Sequence, residues 1–361
     1  MPTETMKRTP RQLGYRMPAE WEPHEATWLA WPHNPEDWPG KFASIPWLYA
    51  EIIRLLAARE RVHLIVEDAA TEKRVKSMLQ RAGASIDQVS FHRWPTDRGW
   101  TRDSGPIFVR NAKGQVALTN WRFNAWAKYD DWRLDDKLPG RVEKLLGLPE
   151  WQPCVDDESD ASRRIVLEGG SIDVNGRGTL LTTEECLLSK VQQRNPGMTR
   201  KDYERVFAEY LGAPHTIWLG CGISGDDTHG HVDDLTRFVS ADSVVTMVEN
   251  NPKDVNQKPL RDNLRRLRAA SDQRGKPLNI VELPMPGPVV FEERRLPASY
   301  ANFYIANGVV LAPVFDDPND RIALNTLATL FPTRDVVPIY SGDLIWGLGT
   351  MHCMTQQQPA P

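Results

Sequence analysis

The sequence predicts a single α/β domain in which a unit of two antiparallel strands, a helix and a further strand is repeated around a ring. Three observations support this prediction: strand–turn–strand segments recur at a nearly constant interval, amphipathic helical segments separate them, and short apolar strands follow the helices. Units that cannot bury their own apolar faces pack against their neighbours, and a closed ring leaves no long strand edge exposed. About five such units fit the 361 residues.

Four hairpins are marked by turns centred on Ala112, Gly176, Ala241 and Asn307, in segments such as PIFVRNAKGQVALTNW and GSIDVNGRGTLLTT. Asn-Gly and related pairs provide the positive φ that tight hairpins require. Successive turns are 64, 65 and 66 residues apart. This spacing indicates copies of one structural unit.

Helices are expected between the hairpins because apolar residues recur there at helical spacing. The expected helical segments are 135–147, 200–212, 258–275 and 316–331, and the strands that follow the last three are 215–220, 278–284 and 335–340. The first two helical segments end in glycine, which is favoured just beyond a helix C-terminus. Residues 46–67 add another helix and strand, and we expect a C-terminal strand to complete this first unit.

Composition argues against several classes of protein. The formal charge of −4 argues against a nucleic-acid-binding surface, which is usually basic. No apolar run reaches the length of a membrane span, and the N-terminal segment MPTETMKRTPRQLGYR lacks the apolar stretch of a secretory signal.

The four cysteines form no CxxC pair, so we expect a reduced, cytoplasmic protein in which Cys154, Cys186 and Cys221 are structural. Of 13 tryptophans, 11 lie in the first 151 residues, and we expect most of these in the core.

Polar residues recur at the leading strand of successive units. Asp103, Glu168, His231 and Cys353 follow one another at intervals of 65, 63 and 122 residues, the last being about two repeats, and Asp233 stands beside the histidine. Equivalent positions in a ring face its axis. We therefore expect these five side chains to meet in one central site.

A cysteine close to a histidine is the arrangement of a covalent nucleophile with its proton partner, and paired carboxylates favour a cation with a planar fork of donors, such as a guanidinium. The segment GDDTHGHVDD at 225–234 is also rich in metal-ligand types, so a metal site and a structural polar loop remain alternatives at this point. If the segment is a strand, His229 and His231 point to opposite faces, and His231 shares its face with Asp233.

The segments RMPAEWEPHEATWLAWPHNPEDW, RDSGP, EGGS, GHVDD and GLGTMHCMTQQQP together resemble the agmatine deiminase and bacterial-type peptidylarginine deiminase family over nearly the whole chain. The resemblance implies the pentein fold, a five-bladed α/β propeller of ββαβ units, as one domain spanning residues 1–361. It also implies hydrolysis of a guanidino group to a ureido group with release of ammonia, without a metal or other cofactor.

By motif, the resemblance implies that Cys353 is the nucleophile and His231 the general acid and base. Asp103, Glu168 and Asp233 would hold the guanidinium. The implied course is attack of the Cys353 thiolate on the guanidinium carbon, departure of ammonia protonated by His231, and hydrolysis of the covalent amidino-thioether by water that His231 activates.

The sequence departs from the family pattern around the substrate tail, where it reads WGLGTMHC and FNAWAKYDDW. Agmatine, converted to N-carbamoylputrescine, is the expected substrate, with peptidylarginine or free arginine as alternatives and Trp100 and Trp126 as candidate contacts for the alkyl amine. The expected partner is thus a cationic guanidino small molecule, with no nucleic acid and no membrane, and a homo-oligomer is left open. A metal-dependent amidohydrolase and a catalytically silent binding module are the competing functions of other classes.

Overall fold

The computed structural model describes residues 8–155 and 163–361, and within them it contains nineteen strands and eight α-helices joined by short turns. The strands are β1 (Tyr15–Arg16), β2 (His24–Ala30), β3 (Arg61–Val66), β4 (Val89–Arg93), β5 (Ile107–Asn111), β6 (Val116–Thr119), β7 (Glu150–Trp151), β8 (Asp173–Val174), β9 (Thr179–Thr183), β10 (His215–Leu219), β11 (Thr236–Phe238), β12 (Ser243–Val248), β13 (Asn279–Pro284), β14 (Val290–Phe291), β15 (Arg294–Arg295), β16 (Tyr304–Ala306), β17 (Val309–Val314), β18 (Asp335–Tyr340) and β19 (Gln356–Pro359). The helices are α1 (Ile45–Ala57), α2 (Ala69–Arg81), α3 (Thr101–Ser104), α4 (Leu138–Leu146), α5 (Glu184–Leu188), α6 (Arg200–Leu211), α7 (Gln257–Ala269) and α8 (Asp320–Leu330).

The strands form five sheets of one common design and a small separate ribbon, β14–β15. Each sheet contains an antiparallel pair and a further strand that runs parallel to the second member of that pair. Their orders are β1-β5-β6-β7, β8-β9-β10, β11-β12-β13, β16-β17-β18 and β19-β2-β3-β4. All four predicted hairpins are present, and β19 pairs with β2, which confirms that a C-terminal strand completes the first unit.

Local signals define the helices between the hairpins. Thr199 closes a capping box with Asp202 at the start of α6, and Gly212 adopts φ 64° after its end. Gly147 ends α4 in the same way. Helix α7 stops six residues before the predicted end because Asp272 binds the backbone N–H groups of the turn that follows. The sequence prediction also missed α2 and β4, which extend the first sheet.

The hydrophobic core lies between the helices and the sheets. Helix α1 buries one complete side, including Ile52, Ile53 and Leu56, against the sheet that contains β3. Most tryptophans of the first half are buried, as predicted, with Trp28 and Trp38 at 1% and 0% exposure. In the described residues, no helix is both long enough and apolar enough to cross a bilayer.

Short helical turns stand directly before the first hairpin strand of successive sheets. Helix α3 precedes β5, the turn Gly169–Ser171 precedes β8, and the turn Val232–Asp234 precedes β11. The turn at 169–171 contacts both of the others. The repeat therefore brings corresponding turns of different sheets together.

Two histidines form a largely buried pair on neighbouring strands of the first sheet. Nδ1 of His63 is 2.8 Å from Nε2 of His92, and both rings stack on Trp28. Burial lowers the pKa of His63 to about 3 and the pKa of His92 to about 4. Both values lie below the ~6.5 of an unfolded chain, so the unfolded state gains protons first as the pH falls. Protonation therefore favours the unfolded chain below about pH 6.5, so the free energy of unfolding decreases as the pH falls below this value.

We expect the melting temperature to decrease between about pH 6.5 and pH 4.5, and His92→Gln to reduce that decrease because glutamine keeps a hydrogen-bonding group beside His63 without a titratable ring. Calorimetric scans of both proteins across this range measure the difference. An equal loss of melting temperature in the two proteins would contradict the assignment.

Candidate active site

The five predicted site residues lie together in one buried centre. Asp103, Glu168, His231, Asp233 and Cys353 are all 5% exposed or less. Each belongs to a short turn that precedes the first strand of a hairpin, or β19 in the case of the cysteine. The convergence expected from the repeat is present in the structure.

His231 is surrounded by the three carboxylates. Its Nδ1 lies 3.8 Å from Oδ2 of Asp103 and 4.0 Å from Oδ1 of Asp233, and its Nε2 lies 3.9 Å from Oε2 of Glu168. These separations are longer than hydrogen bonds. Both ring nitrogens, Oε2 of Glu168 and Oδ1 of Asp233 have no hydrogen-bond partner among the described residues, although all are buried. Buried polar atoms are normally paired, so four unpaired atoms at one point are typical of a binding site.

Asp103 is held by neutral donors. Nε1 of Trp126 donates to its Oδ2 over 2.9 Å, and the backbone N–H of Gly170 donates to its Oδ1 over 3.0 Å. Burial, together with the charges of Asp233 and Glu168, raises the pKa of Asp103 to about 6. This carboxylate therefore remains mostly ionised at neutral pH, without a basic residue bound to it.

Glu168 is held by an arginine and Asp233 by a histidine. Nε of Arg194 donates to Oε1 of Glu168 over 3.0 Å, and both side chains are fully buried. Burial alone would raise the pKa of Glu168, but the charges of Arg194 and His231 together outweigh it and lower the pKa to about 2. Nδ1 of His352 lies 2.7 Å from Oδ2 of Asp233; burial opposes ionisation of Asp233, and this hydrogen bond together with the charges of the surrounding basic groups overcomes it and lowers the pKa of the carboxyl.

The acids in turn shift the pKa values of His231 and Cys353. Burial disfavours the imidazolium of His231, but the charge of Asp103 and the close contacts with Cys186 and Glu168 together outweigh it and raise the pKa of His231 well above its usual range. Burial and the charge of Asp233 raise the pKa of the Cys353 thiol. In the protein alone, imidazolium and neutral thiol are therefore the favoured forms.

Asn302 organises the turn that carries the cysteine. Its Oδ1 accepts hydrogen bonds from the backbone N–H groups of Thr350 and His352, and its Nδ2 donates to Sγ of Cys353 over 3.1 Å. The sulfur also lies 3.6 Å from Oδ2 of Asp233. The nucleophile candidate is thus fixed beside the carboxylates.

A buried ionic network supports the base of the site. Nε2 of His352 lies 2.8 Å from Oε2 of Glu20, which is also 3.0 Å from Nη2 of Arg237. Arg237 continues to Asp173 through a hydrogen bond of 2.6 Å, and Arg102 approaches Glu20 to 3.4 Å. Each buried carboxylate in this network is therefore matched by a cation, which offsets the cost of removing it from water.

A pocket leads from the surface to this centre. Trp100 and Trp126, the candidate contacts for the alkyl amine, line it together with Asp103 and Cys353. Its outer part is lined by the acids Glu36, Asp37 and Asp227 and by the cations Arg98 and Arg294. Arg98 is already bound to Asp37 and Asp131.

The segment AWA within FNAWAKYDDW has an unusual backbone. Ala125, Trp126 and Ala127 have φ of 48°, 58° and 52°, a region that non-glycine residues seldom adopt. The side chain of Asn124 accepts a hydrogen bond from Ala127, and Gln192 donates to the carbonyl of Trp126, so the surroundings hold this conformation. The result is that Nε1 of Trp126 faces Asp103.

The segment GDDTHGHVDD is a loop followed by a short helical turn, so the condition that it be a strand is not met. The carboxylate of Asp226 accepts hydrogen bonds from the backbone N–H groups of Thr228, Gly230 and His231 and so closes the loop. His229 is half-buried and meets the hydroxyl of Ser189, whereas His231 is fully buried. Only one of the two histidines enters the centre, as expected, and they do not form a His-x-His metal clamp.

The sequence analysis missed four side chains of the centre: Arg194, Asn302, His352 and Cys186. Asn302 had a detectable signal, because it stands 69 residues after Asp233, about one repeat further along the chain. Cys186, predicted to be structural, places its sulfur within 4.8 Å of ligand atoms of both Glu168 and His231. No repeat position marks Arg194, which reaches Glu168 from a loop.

Comparison with known proteins gives consistent results. The Porphyromonas-type peptidyl-arginine deiminase family matches residues 16–359. An agmatine deiminase of Pseudomonas savastanoi pv. phaseolicola is 36% identical over 382 residues, with 99% of each chain covered. The structure is similar to that of an Enterococcus faecalis agmatine deiminase, with a TM-score of 0.88, 29% identity and 98% of both chains covered. It is also similar to a Cys-to-Ser variant of a C. jejuni agmatine deiminase with substrate bound, with a TM-score of 0.82, 27% identity and coverage of 95% of this chain and 96% of the other.

Gly170 leaves the space between the acids and the imidazole open. A Cβ atom at this position would lie 2.5 Å from Nδ1 of His231, 2.8 Å from Oδ1 of Asp103 and 3.0 Å from Oδ2 of Asp233.

We expect Gly170→Ala to weaken binding of a small guanidino ligand at least about tenfold, since a displaced carboxylate costs about 1.4 kcal/mol or more. Calorimetric titration measures this, with Gly140→Ala in helix α4 as the control because the space around it is open. Unchanged affinity in Gly170→Ala would show that the ligand binds elsewhere.

Proposed function

The chain belongs to the Porphyromonas-type peptidyl-arginine deiminase family, and on this basis we propose that it is an agmatine deiminase. It would hydrolyse the guanidino group of agmatine to a ureido group and release ammonia, through a covalent intermediate on Cys353. The observation that carries the proposal is the enclosure of one imidazole and one thiol by three buried carboxylates, two of which have an unpaired oxygen atom.

Binding uses the charge of the centre. The pKa values of Glu168 and Asp233 are lowered, so both are carboxylates, and Asp103 is ionised for the most part at neutral pH. A guanidinium presents five N–H donors in one plane, which suits carboxylate oxygens arranged around it. We assign substrate orientation to these three acids.

Binding also prepares the nucleophile. The acids that stabilise the imidazolium of His231 become neutralised when a cation lies among them, so His231 loses part of that stabilisation and releases a proton more readily. The same cation offsets the negative charges that raise the pKa of the Cys353 thiol. The substrate thereby promotes formation of the thiolate that attacks it.

Two steps complete the reaction. The thiolate of Cys353 adds to the guanidinium carbon, His231 delivers a proton to one terminal nitrogen, and ammonia leaves as the carbon–nitrogen bond breaks. Water then gives a proton to His231 as its oxygen bonds to the same carbon. The carbon–sulfur bond breaks as the remaining hydroxyl proton of the adduct passes to the released ammonia, the thiolate is regenerated, and the neutral ureido product departs.

The outer pocket favours an amine-bearing tail. Glu36 and Asp227 line this part, and the side chain of Glu36 forms no salt bridge within the described residues. Trp100 and Trp126 provide aromatic surface for the alkyl chain between the amine and the guanidinium. Together with the agmatine deiminases among the relatives, this supports agmatine ahead of arginine or an arginyl peptide.

For the architecture, we propose one domain in which the five sheets are the blades of a closed propeller. Pairing of β19 with β2 and contacts between the turns before β5, β8 and β11 support this arrangement. A cytoplasmic location and a homo-oligomer stay predictions from the sequence.

We expect Cys353→Ser to lose at least about 1000-fold in turnover of agmatine, because removal of a covalent nucleophile has effects of that order or larger. Ammonia release and ureido product are measured together, with agmatine, arginine and an arginyl peptide side by side and with and without EDTA. Cys221→Ser is the control because Cys221 is exposed. Substantial turnover by Cys353→Ser, or loss of wild-type activity with EDTA, would overturn the proposed chemistry.

We expect Glu36→Gln to raise KM for agmatine by about two- to fivefold with little change in kcat, as loss of one exposed ion pair contributes up to about 1 kcal/mol. Steady-state kinetics at low and high salt test this, since salt screens an exposed charge. Glu25→Gln removes an exposed acid of strand β2 and serves as the control. A change in kcat alone would assign Glu36 a different role.

A further inference from the structure

We propose that Glu168, Cys186 and His231 form a binding site for a thiophilic divalent cation such as Zn²⁺, and that the bound cation inhibits the enzyme. The inhibitory effect rests on the proposed deiminase function, whereas cation binding itself does not. The site overlaps the catalytic centre but uses a cysteine that the deiminase reaction does not require.

The three side chains present three different ligand atoms at one point. A sulfur, a ring nitrogen and a carboxylate oxygen lie within 4.8 Å of one another, and Nε2 of His231 is 3.9 Å from Oε2 of Glu168. Zn²⁺ binds nitrogen and oxygen at about 2.0–2.1 Å and sulfur at about 2.3 Å, which places tetrahedral ligand atoms about 3.3–3.7 Å apart. Side-chain shifts of about 1 Å or less would close the set around the ion.

The ligand atoms are free to bind. Both nitrogens of His231 and Oε2 of Glu168 have no hydrogen-bond partner within the described residues, and all three side chains are 1% exposed or less. Arg194 engages the other oxygen of Glu168 and so holds Oε2 toward the imidazole. This places an unpaired carboxylate oxygen and an unpaired imidazole beside a thiol, a donor set that zinc accepts.

The backbone fixes the cysteine in this position. Cys186 lies in the first turn of α5, where its N–H donates to Oγ1 of Thr183 over 3.1 Å. The hydroxyl of Thr183 in turn donates to the carbonyl of Gly230, next to His231. The start of α5 and the histidine loop are therefore held together, which keeps thiol and imidazole close.

Charge and ligand type favour one class of ion. Once the thiol and the imidazolium have released their protons, a thiolate on Cys186 and the carboxylates of Glu168 and Asp103 carry three negative charges; with the positive charge of Arg194 on Glu168, they balance a divalent cation. Sulfur and imidazole donors prefer Zn²⁺ or Cd²⁺, while Mg²⁺ and Ca²⁺ prefer sites made of oxygen. Because the ion and the guanidinium both need Glu168 and His231, we expect Zn²⁺ to compete with agmatine.

Direct measurements of cation binding distinguish a site that uses Cys186 from one that uses the nucleophile Cys353. Metal-stripped protein is titrated with ZnCl₂ by calorimetry and with CdCl₂ by thiolate absorbance, using wild type, Cys186→Ala, Cys353→Ser and Cys221→Ser. We expect wild type, Cys353→Ser and Cys221→Ser to bind one ion, and Cys186→Ala to bind at least about tenfold more weakly, a loss of about 1.4 kcal/mol. Cys186→Ser, close in size to cysteine, replaces the alanine variant if that variant melts early.

Kinetics complete the test. We expect Zn²⁺ to inhibit wild-type turnover of agmatine competitively and EDTA to reverse the inhibition, while the Cys186 variant stays active in the presence of Zn²⁺. Binding that is kept in the Cys186 variants and lost in Cys353→Ser would overturn the proposal, as would absence of binding to wild type. Zn²⁺ binding by a metal-free protein that does not turn over agmatine would instead refute the proposed function and leave the metal site standing.

Discussion

Burial of like charges at one point is the constraint on which the rest of the structure depends. Three carboxylates each lie about 4 Å from a ring nitrogen of His231. Carboxylates gathered around one ring would repel one another strongly in a medium of low dielectric constant if nothing compensated their charges. The fold compensates for each in a different way. Arg194 neutralises Glu168, His352 forms a hydrogen bond with Asp233, and Asp103 relies on two neutral N–H donors and the imidazole.

These compensating groups come from different parts of the chain, so the centre links the sheets to one another. His352 joins Asp233 to Glu20, and Glu20 continues to Arg237 and Asp173. A network of alternating charges of this kind is stable only when all members are in place, because removal of one leaves a buried ion unpaired. The ionic geometry and the arrangement of the sheets therefore specify each other.

The repeat explains which parts of the site could be predicted from the sequence. Hairpin turns and helix caps are local signals, so four hairpins and helices α4 and α6 were identified, and the regular spacing indicated that Asp103, Glu168 and Cys353 meet. The sequence analysis did not identify the groups that support these residues. Arg194 acts from an irregular loop and His352 was passed over beside the cysteine, since which cation pairs with which buried acid depends on tertiary geometry.

The pairing of β19 with β2 bears on the order in which the centre can be assembled. Trp28 and Gln358, which meet through their side chains across these strands, are 330 positions apart in the chain. Contacts between such distant segments carry a large loop-closure entropy and form slowly. During synthesis, the acids and His231 leave the ribosome long before the turn that carries Cys353. A chain that still lacks this turn has the acids and His231 but neither His352, the partner of Asp233, nor Cys353, so chemical competence would be the last property that the protein acquires.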